Sequence, residues 1–275
     1  MKKARLENLV VYLMLIGAAT IIIFPIIYVF FGSLKQPNEL FAYPPRLLPK
    51  GLFPGNFVHA WGANPFGRFI LNSLIVSTAI TLGQITFSAL AAYAFARLRF
   101  WGRDQLFMIF LATLMIPGHV TLIPAFLIVK KLGWIDTYAG LTVPFLATAF
   151  GTFLLRQFFL TIPQELEDAA RIDGAGRLRF LAAILIPLSR PALGALAIWS
   201  FLGAWNQYLW PLVATNSTSM RTVQIGIAMF LLEEAGTSWG VVMAGAVLVI
   251  LPTLLAFLVA QKQIVKGITM TGLKG

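Results

Sequence analysis

Six apolar runs constrain this chain more than any other feature: Leu9 to Phe31, Phe69 to Ala96, Gln105 to Val129, Ala139 to Leu160, Ala192 to Val213 and Trp239 to Ala260. Arg156 is the one Lys, Arg, Asp or Glu inside them. A bilayer's hydrocarbon core is about 30 Å thick, and roughly 20 helical residues cross it. Lipid offers no hydrogen-bond partners, so each run must satisfy its own backbone, as a helix does. The expected fold is all-α: a polytopic membrane protein with six transmembrane helices. Composition agrees, since 11% of the residues are charged against about 25% in an ordinary soluble domain. Two shorter runs, Phe180 to Pro187 and Val223 to Leu232, are about half a span and read as interfacial or re-entrant pieces.

Lys2, Lys3 and Arg5 ahead of an apolar run mimic a secretory signal. The run continues to Phe31, however, and no small-x-small cleavage site follows, so it reads as a retained first helix. With the N-terminus inside, fourteen of the 21 Lys and Arg residues fall on the inner side, including the compact turn Arg97 to Asp104. Lys and Arg are retained in the cytoplasm, which places both termini there. The organisation expected is a cytoplasmic segment and first helix (1–31), an external loop (32–68), a five-helix core (69–261) enclosing a cytoplasmic loop (161–191), and a cytoplasmic tail (262–275). Pro44, Pro45, Pro49 and Pro54 make the external loop an irregular one. Pro117, Pro124 and Pro144 lie inside the third and fourth runs, where they kink helices.

Several function classes are excluded. A net charge of +11 follows from the inner-side bias of a membrane protein and requires no nucleic acid. With no Cys and two His, neither thiolate catalysis nor a cysteine-ligated metal site is available, and no acid-base set lies at one depth, so the chain is not expected to be an enzyme. All ten acidic residues fall outside the runs, whereas ion-coupled transporters working alone usually keep acids at mid-membrane. There is no G-x-x-x-x-G-K-[ST] loop, so any ATP energy must come from another protein.

The loop between the fourth and fifth runs is long and patterned. Pro163 suits the start of a helix, and Glu165, Glu167 and Asp168 follow where carboxylates favour the helix dipole. The helix is expected to close at Asp173-Gly174, and a second to run from Arg177 and stop before Pro187. Leu166, Ala169, Ala170 and Asp173 recur at helical spacing as a narrow face of small and apolar groups. Such a face suits either close approach of a partner or a connector resting on the membrane surface.

The stretch Asp168-Ala-Ala-Arg-Ile-Asp-Gly-Ala175, followed by Phe180, Ile184 and Pro187, resembles the E-A-A-x-x-D-G-A signature of permease subunits of binding-protein-dependent ABC importers. Asp168 stands for the usual Glu, and Ile186 for the usual Leu. Ser33-Leu-Lys, Asn72-Ser73, Ala91-Ala-Tyr-Ala-Phe-Ala-Arg97, Trp205-Asn206 and the tail from Gln261 to Gly267 resemble the carbohydrate-uptake branch, the relatives of the second maltose permease. Leu155-Arg-Gln-Phe-Phe159 and Trp205-Asn-Gln-Tyr-Leu-Trp-Pro-Leu212 look most like permeases for sn-glycerol-3-phosphate.

This resemblance implies a type I importer permease in the bacterial plasma (inner) membrane. It implies a second permease subunit, two copies of an ABC ATPase that hold the ATP and Mg, and an external solute-binding protein. No cofactor is expected in this chain. Glu165, Asp168, Ala169, Ala170, Arg171, Asp173 and Gly174 would form the coupling surface for the ATPase. For the solute pathway the candidates are the amides Gln84, Asn206 and Gln207, the rings Trp205 and Tyr208, and His119, the one ionisable group besides Arg156 deep in a run. A lone buried His is more often a hydrogen-bonded packing residue. A neutral di- or oligosaccharide of the maltose or trehalose type is the alternative solute, and a stand-alone secondary transporter the alternative class.

Overall fold

The computed structural model describes the backbone of residues 2–231 and 238–271, with side chains over 8–231, 238–255 and at Leu258. Glu233, Glu234, the side chains of the tail and residues 272–275 lie outside the described residues. All regular structure among the described residues is helical. The chain forms two compact units, 1–67 with 226–252, and 68–225 with 253–275.

In the first unit, α1 (Lys2–Gly32) runs unbroken through Pro25. Its stretch Asn8–Gly32 has a mean hydropathy of 2.6, and none of its most apolar window is buried. An apolar helix so bare needs lipid or a partner chain around it. The loop that follows is more ordered than its prolines suggest, with short helices at Pro37–Leu40 and Gly55–Gly62. Asn56 explains part of that order. Its buried amide donates to the carbonyls of Ser33 (2.9 Å) and Lys35 (2.8 Å), fastening the end of α1 to the loop. Gly240 lies against the same amide, and a Cβ there would sit 2.7 Å from its nitrogen.

In the second unit, the apolar runs are less simple than their composition implies. The helix α2 (Phe66–Arg97) is continuous, but the third, fourth and fifth runs are broken. Between α3 (Arg103–Ala112), extended by a short turn to Met115, and α4 (Gly118–Lys131) the direction changes by 100°. Pro117 causes this break. It has no N–H to donate back along a helix, and it pushes Ile116 into an extended conformation (φ −83°, ψ 116°). Pro124, by contrast, sits inside α4 without ending it. Around Pro144 the fourth run bends by 44° before α5 (Ala149–Thr161). The fifth run ends at Trp205 and resumes at Leu209, so it is not one span to Val213.

The loop between α5 and that run folds as α6 (Glu165–Ile172), α7 (Arg177–Leu188) and then α8 (Arg190–Trp205). Pro187 does not stop α7 as expected. The turn Leu181–Leu185 is π-wound, and this widened turn relieves the clash a proline ring makes with the carbonyl four residues back. The helix ends at Leu188, one residue past Pro187, and the chain turns by 82° into α8.

Packing in this unit centres on two clusters. Ala92, Leu155, Phe159, Ala170, Phe180, Leu185 and Leu196 form one, joining α2, α5, α6, α7 and α8. Val76, Ile80, Val129, Leu141 and Trp210 form the other. Polar staples supplement them. The amide of Asn72 donates to the carbonyls of Ser219 and Arg221, both at 2.8 Å, and its oxygen accepts from the Tyr138 hydroxyl at 2.8 Å.

Candidate functional site

The α6 segment starts where Ile162 turns the chain out of α5 (φ −82°, ψ 130°). Glu165, Glu167 and Asp168 occupy its opening turn, where their charge meets the positive end of the helix. Closure comes as expected. Gly174 takes the left-handed φ of +78°, its N–H donates to the Arg171 carbonyl at 3.0 Å, and the Ala175 N–H reaches the Ala170 carbonyl at 2.8 Å. This pair of bonds is a Schellman closure. No heavy atom lies within 4 Å of where a Gly174 Cβ would stand, so the position demands glycine for its backbone angle and not for space.

The two faces of α6 differ. Glu165, Asp168, Ala169, Arg171, Asp173 and Gly174 are exposed, whereas Glu167 and Ala170 are buried. Ala170, expected on the partner-facing side, packs instead into the chain's own core with Phe159 and Phe180. Leu166 and Ile172 flank the exposed face, and Ile172 is 87% accessible. Glu167 was not among the expected site residues, yet it is the best-connected acid in the loop. Its Oε1 accepts from Arg171 Nη2 at 2.6 Å, and its Oε2 lies 3.9 Å from Arg97 Nη1. Arg97 ends α2 and also donates to the carbonyls of Phe159 (2.8 Å) and Ile162 (2.5 Å) at the close of α5. One guanidinium thus gathers the ends of two long helices and the buried side of α6. Beside it opens a cavity of about 710 Å³ lined by Arg99, Arg103, Gln164 and Glu165 among others.

A second cluster forms where α4 begins and α8 ends. Here a cavity of about 580 Å³ is lined by His119, Thr121, Leu122, Phe145, Asn206, Gln207 and Tyr208 among others. A smaller one of about 120 Å³ shares Phe145 and Gln207 with it and includes Gln84 and Ser200. Five of the six residues expected on a solute pathway therefore line these two spaces. Gln84 is tied down, donating to the Phe145 carbonyl at 2.9 Å and accepting from Ser200 at 2.6 Å. His119 is exposed and has no hydrogen-bond partner among the described residues, which departs from the packing role usual for a lone His. Trp205 is the exception. It is 1% exposed and stacked on Phe201 with ring centres 5.8 Å apart, so it packs behind the cavity and does not line it. No group of three or more His, Cys, Asp or Glu able to hold a metal occurs among the described residues.

Residues 84–268, which carry both clusters, match the family of binding-protein-dependent transport system inner membrane components. The chain belongs to that family. This permease is similar along nearly its whole length to the sn-glycerol-3-phosphate transport system permease proteins UgpE of Agrobacterium fabrum and Brucella suis. The first is 40% identical over 274 residues, 97% of each chain. The second is 41% identical over 273 residues, 96% of this chain and 97% of the relative. Among solved structures, a bacterial ABC transporter involved in import of the acidic polysaccharide alginate superposes with a TM-score of 0.84 at 26% identity, covering 96% of this chain and 98% of that one. The fold is shared again, at a TM-score of 0.64 and 16% identity, by an alginate ABC transporter in complex with a pentasaccharide-bound periplasmic protein. The permease therefore has the all-α fold of ABC importer permeases and is an inner-membrane component.

Two features of the permease escaped the sequence reading. Glu167 lies one residue before the signature, and only its i, i+3 relation to the small Ala170 hints that both face inward. Arg97 closes a helix that carries no charge from Phe69 to Ala96, a signal visible but ambiguous, because Arg is common at the inner membrane surface.

Proposed function

We propose that this permease forms half of the translocation pathway of an ATP-driven importer for sn-glycerol-3-phosphate or its diesters. The observation that carries this reading is 40–41% identity over nearly full lengths to permeases bearing that transport system's name in different bacteria. On this reading the six apolar runs are six spans, broken or whole, with both termini in the cytoplasm. A second permease subunit completes the pathway, an external solute-binding protein delivers the solute, and two copies of an ABC ATPase supply the energy from ATP and Mg. This chain itself hydrolyses nothing and holds no cofactor. The exposed face of α6, with Glu165, Asp168, Ala169, Arg171, Asp173 and Gly174, is the coupling surface. Closure of the ATPase pair pushes α6, and α6 tilts the helices whose ends it is tied to. Gln84, His119, Asn206, Gln207 and Tyr208 belong to the solute pathway, with Trp205 supporting them from behind.

A neutral di- or oligosaccharide is the second reading, favoured by the absence of Lys and Arg, among the described residues, from the lining of both cavities at that pathway. One experiment decides. The permease is reconstituted in lipid nanodiscs with its genetic neighbours, the second permease, ATPase and binding protein. ATP hydrolysis is expected to rise when the binding protein is loaded with sn-glycerol-3-phosphate or a glycerophosphodiester. Stimulation by a disaccharide alone moves the solute to the second reading, and uptake by this chain alone without ATP overturns the importer reading altogether.

A further inference from the structure

The 580 Å³ cavity lies where two helix breaks meet. One is the start of α4 after Pro117, with Gly118 and His119 on its wall, and the other is the gap from Asn206 to Tyr208 between α8 and the helix Leu209–Ala214. Inside a membrane protein, irregular backbone survives only where protein or a wet cavity satisfies it, so two breaks facing one space mark that space as polar. Its lining is mixed, a mostly apolar wall that carries a few polar groups. Thr121, Asn206, Gln207 and Tyr208 bring hydroxyl and amide groups, while Leu122, Pro144 and Phe145 bring apolar surface. The volume falls within the range of small-molecule sites, about 300–1,000 Å³.

Two of these groups are left over by the fold. The Oε1 of Gln207 is buried with no hydrogen-bond partner. A buried carbonyl oxygen without a donor costs about 1–3 kcal/mol, and a solute hydroxyl is the kind of donor it lacks. His119 is likewise unpartnered among the described residues, and it is the one lining side chain able to carry a positive charge. Among the described residues, no Asp or Glu lines the space to neutralise it.

We propose that this cavity is a solute subsite of divided chemistry, in which His119 receives the anionic phosphoryl group and Gln207, Asn206 and Tyr208 receive the hydroxyls of a polyol. The inference deepens the functional reading above and rests on it for the identity of the solute. It makes His119 a specificity-determining residue that separates phosphorylated polyols from neutral sugars of similar size. A wall whose described residues offer one imidazole and no carboxylate holds a monoanion or dianion weakly, as a transport pathway requires, since a solute gripped by several guanidiniums would not leave.

The test uses the reconstituted complex with its ATPase and binding protein, and measures uptake of sn-glycerol-3-phosphate by wild type, His119→Gln, His119→Lys and Gln207→Leu. Losing a hydrogen bond to a charged group is expected to raise the KM of His119→Gln for sn-glycerol-3-phosphate by about tenfold or more, with ATPase assembly unchanged. His119→Lys is expected to restore most of the uptake, because it puts a cationic donor for the phosphoryl group at the same place, which a merely structural histidine would not allow. Gln207→Leu is expected to lower uptake without altering the preference for the anion. Equal KM values in wild type and His119→Gln, or failure of His119→Lys where His119→Gln assembles but transports poorly, overturn the inference. A wild-type complex that imports a neutral disaccharide and not the phosphate overturns the solute reading first and this subsite with it; that result is distinguishable because it appears before any substitution is made.

Discussion

Arg97 and Glu167, remote in sequence, lie 3.9 Å apart in the interior of the second unit, with side chains 7% and 4% exposed. The arginine is also bound to the carbonyls of Phe159 and Ile162, and the glutamate to Arg171. Hydrophobic contact at Ala170 and this ionic contact at Glu167 therefore hold the same face of α6, one turn apart. Removing one member of a buried pair leaves the other charge poorly compensated. Glu167→Gln is expected to cost about 2 kcal/mol, less than a fully isolated pair because Arg97 keeps its two carbonyls. Thermal unfolding in detergent checks this. In the assembled importer the same variant is expected to hydrolyse ATP with less uptake per ATP.

Gly174 closes α6 with a φ of +78° in open space. A β-branched residue there is expected to strain the closure by about 1–2 kcal/mol, while Asn, which tolerates the left-handed region, costs less. Gly174→Val should insert into the membrane normally but lose ATPase co-purification or transport; Gly174→Asn should retain most of both. Unchanged co-purification and transport in Gly174→Val would refute the coupling role of this turn.

Asp136 takes a φ of 61° and clamps the turn before Thr137 to the segment after Ala214, accepting from the N–H groups of Asn216 and Ser217 at 3.0 Å each. Desolvation acts to raise its carboxyl pKa, but hydrogen bonds from the Ser217 hydroxyl and from these two N–H groups outweigh it and hold the group below the ordinary value of 3.8. The unfolded chain then binds the proton more readily than the folded one. The clamp's contribution is present above about pH 3.8 and is lost as pH falls through the lower folded value. Melting temperatures in detergent are expected to drop on acidification below about pH 4 more steeply for wild type than for Asp136→Asn.

Asn72 satisfies three partners at once. Its replacement by Leu is expected to strand two carbonyls and a phenol, at about 1 kcal/mol each. A loss of about 3 kcal/mol should appear in denaturant unfolding and should be largely absent from Ser73→Ala, which loses one bond, that from the Val223 N–H.

Apolar length and signature spacing were enough to determine a helical membrane protein and to place α6, because both depend on local sequence: about 20 apolar residues must span, and a Gly after a helical run must close it. The same local rules anticipated that Pro117 and Pro144 would kink their helices. They could not weigh Pro117 against Pro124, since a proline breaks a helix only where its neighbours fail to compensate the lost bond. Nor could they say that Ala170 turns inward while Ala169 stays out, because that depends on where α5 and α7 stand. The pairing of Arg97 with Glu167 and the meeting of His119 with Asn206 and Gln207 belong to the tertiary structure alone. Each joins residues far apart in the chain, and only the packing of helices against one another sets which of them form an ion pair or line one cavity.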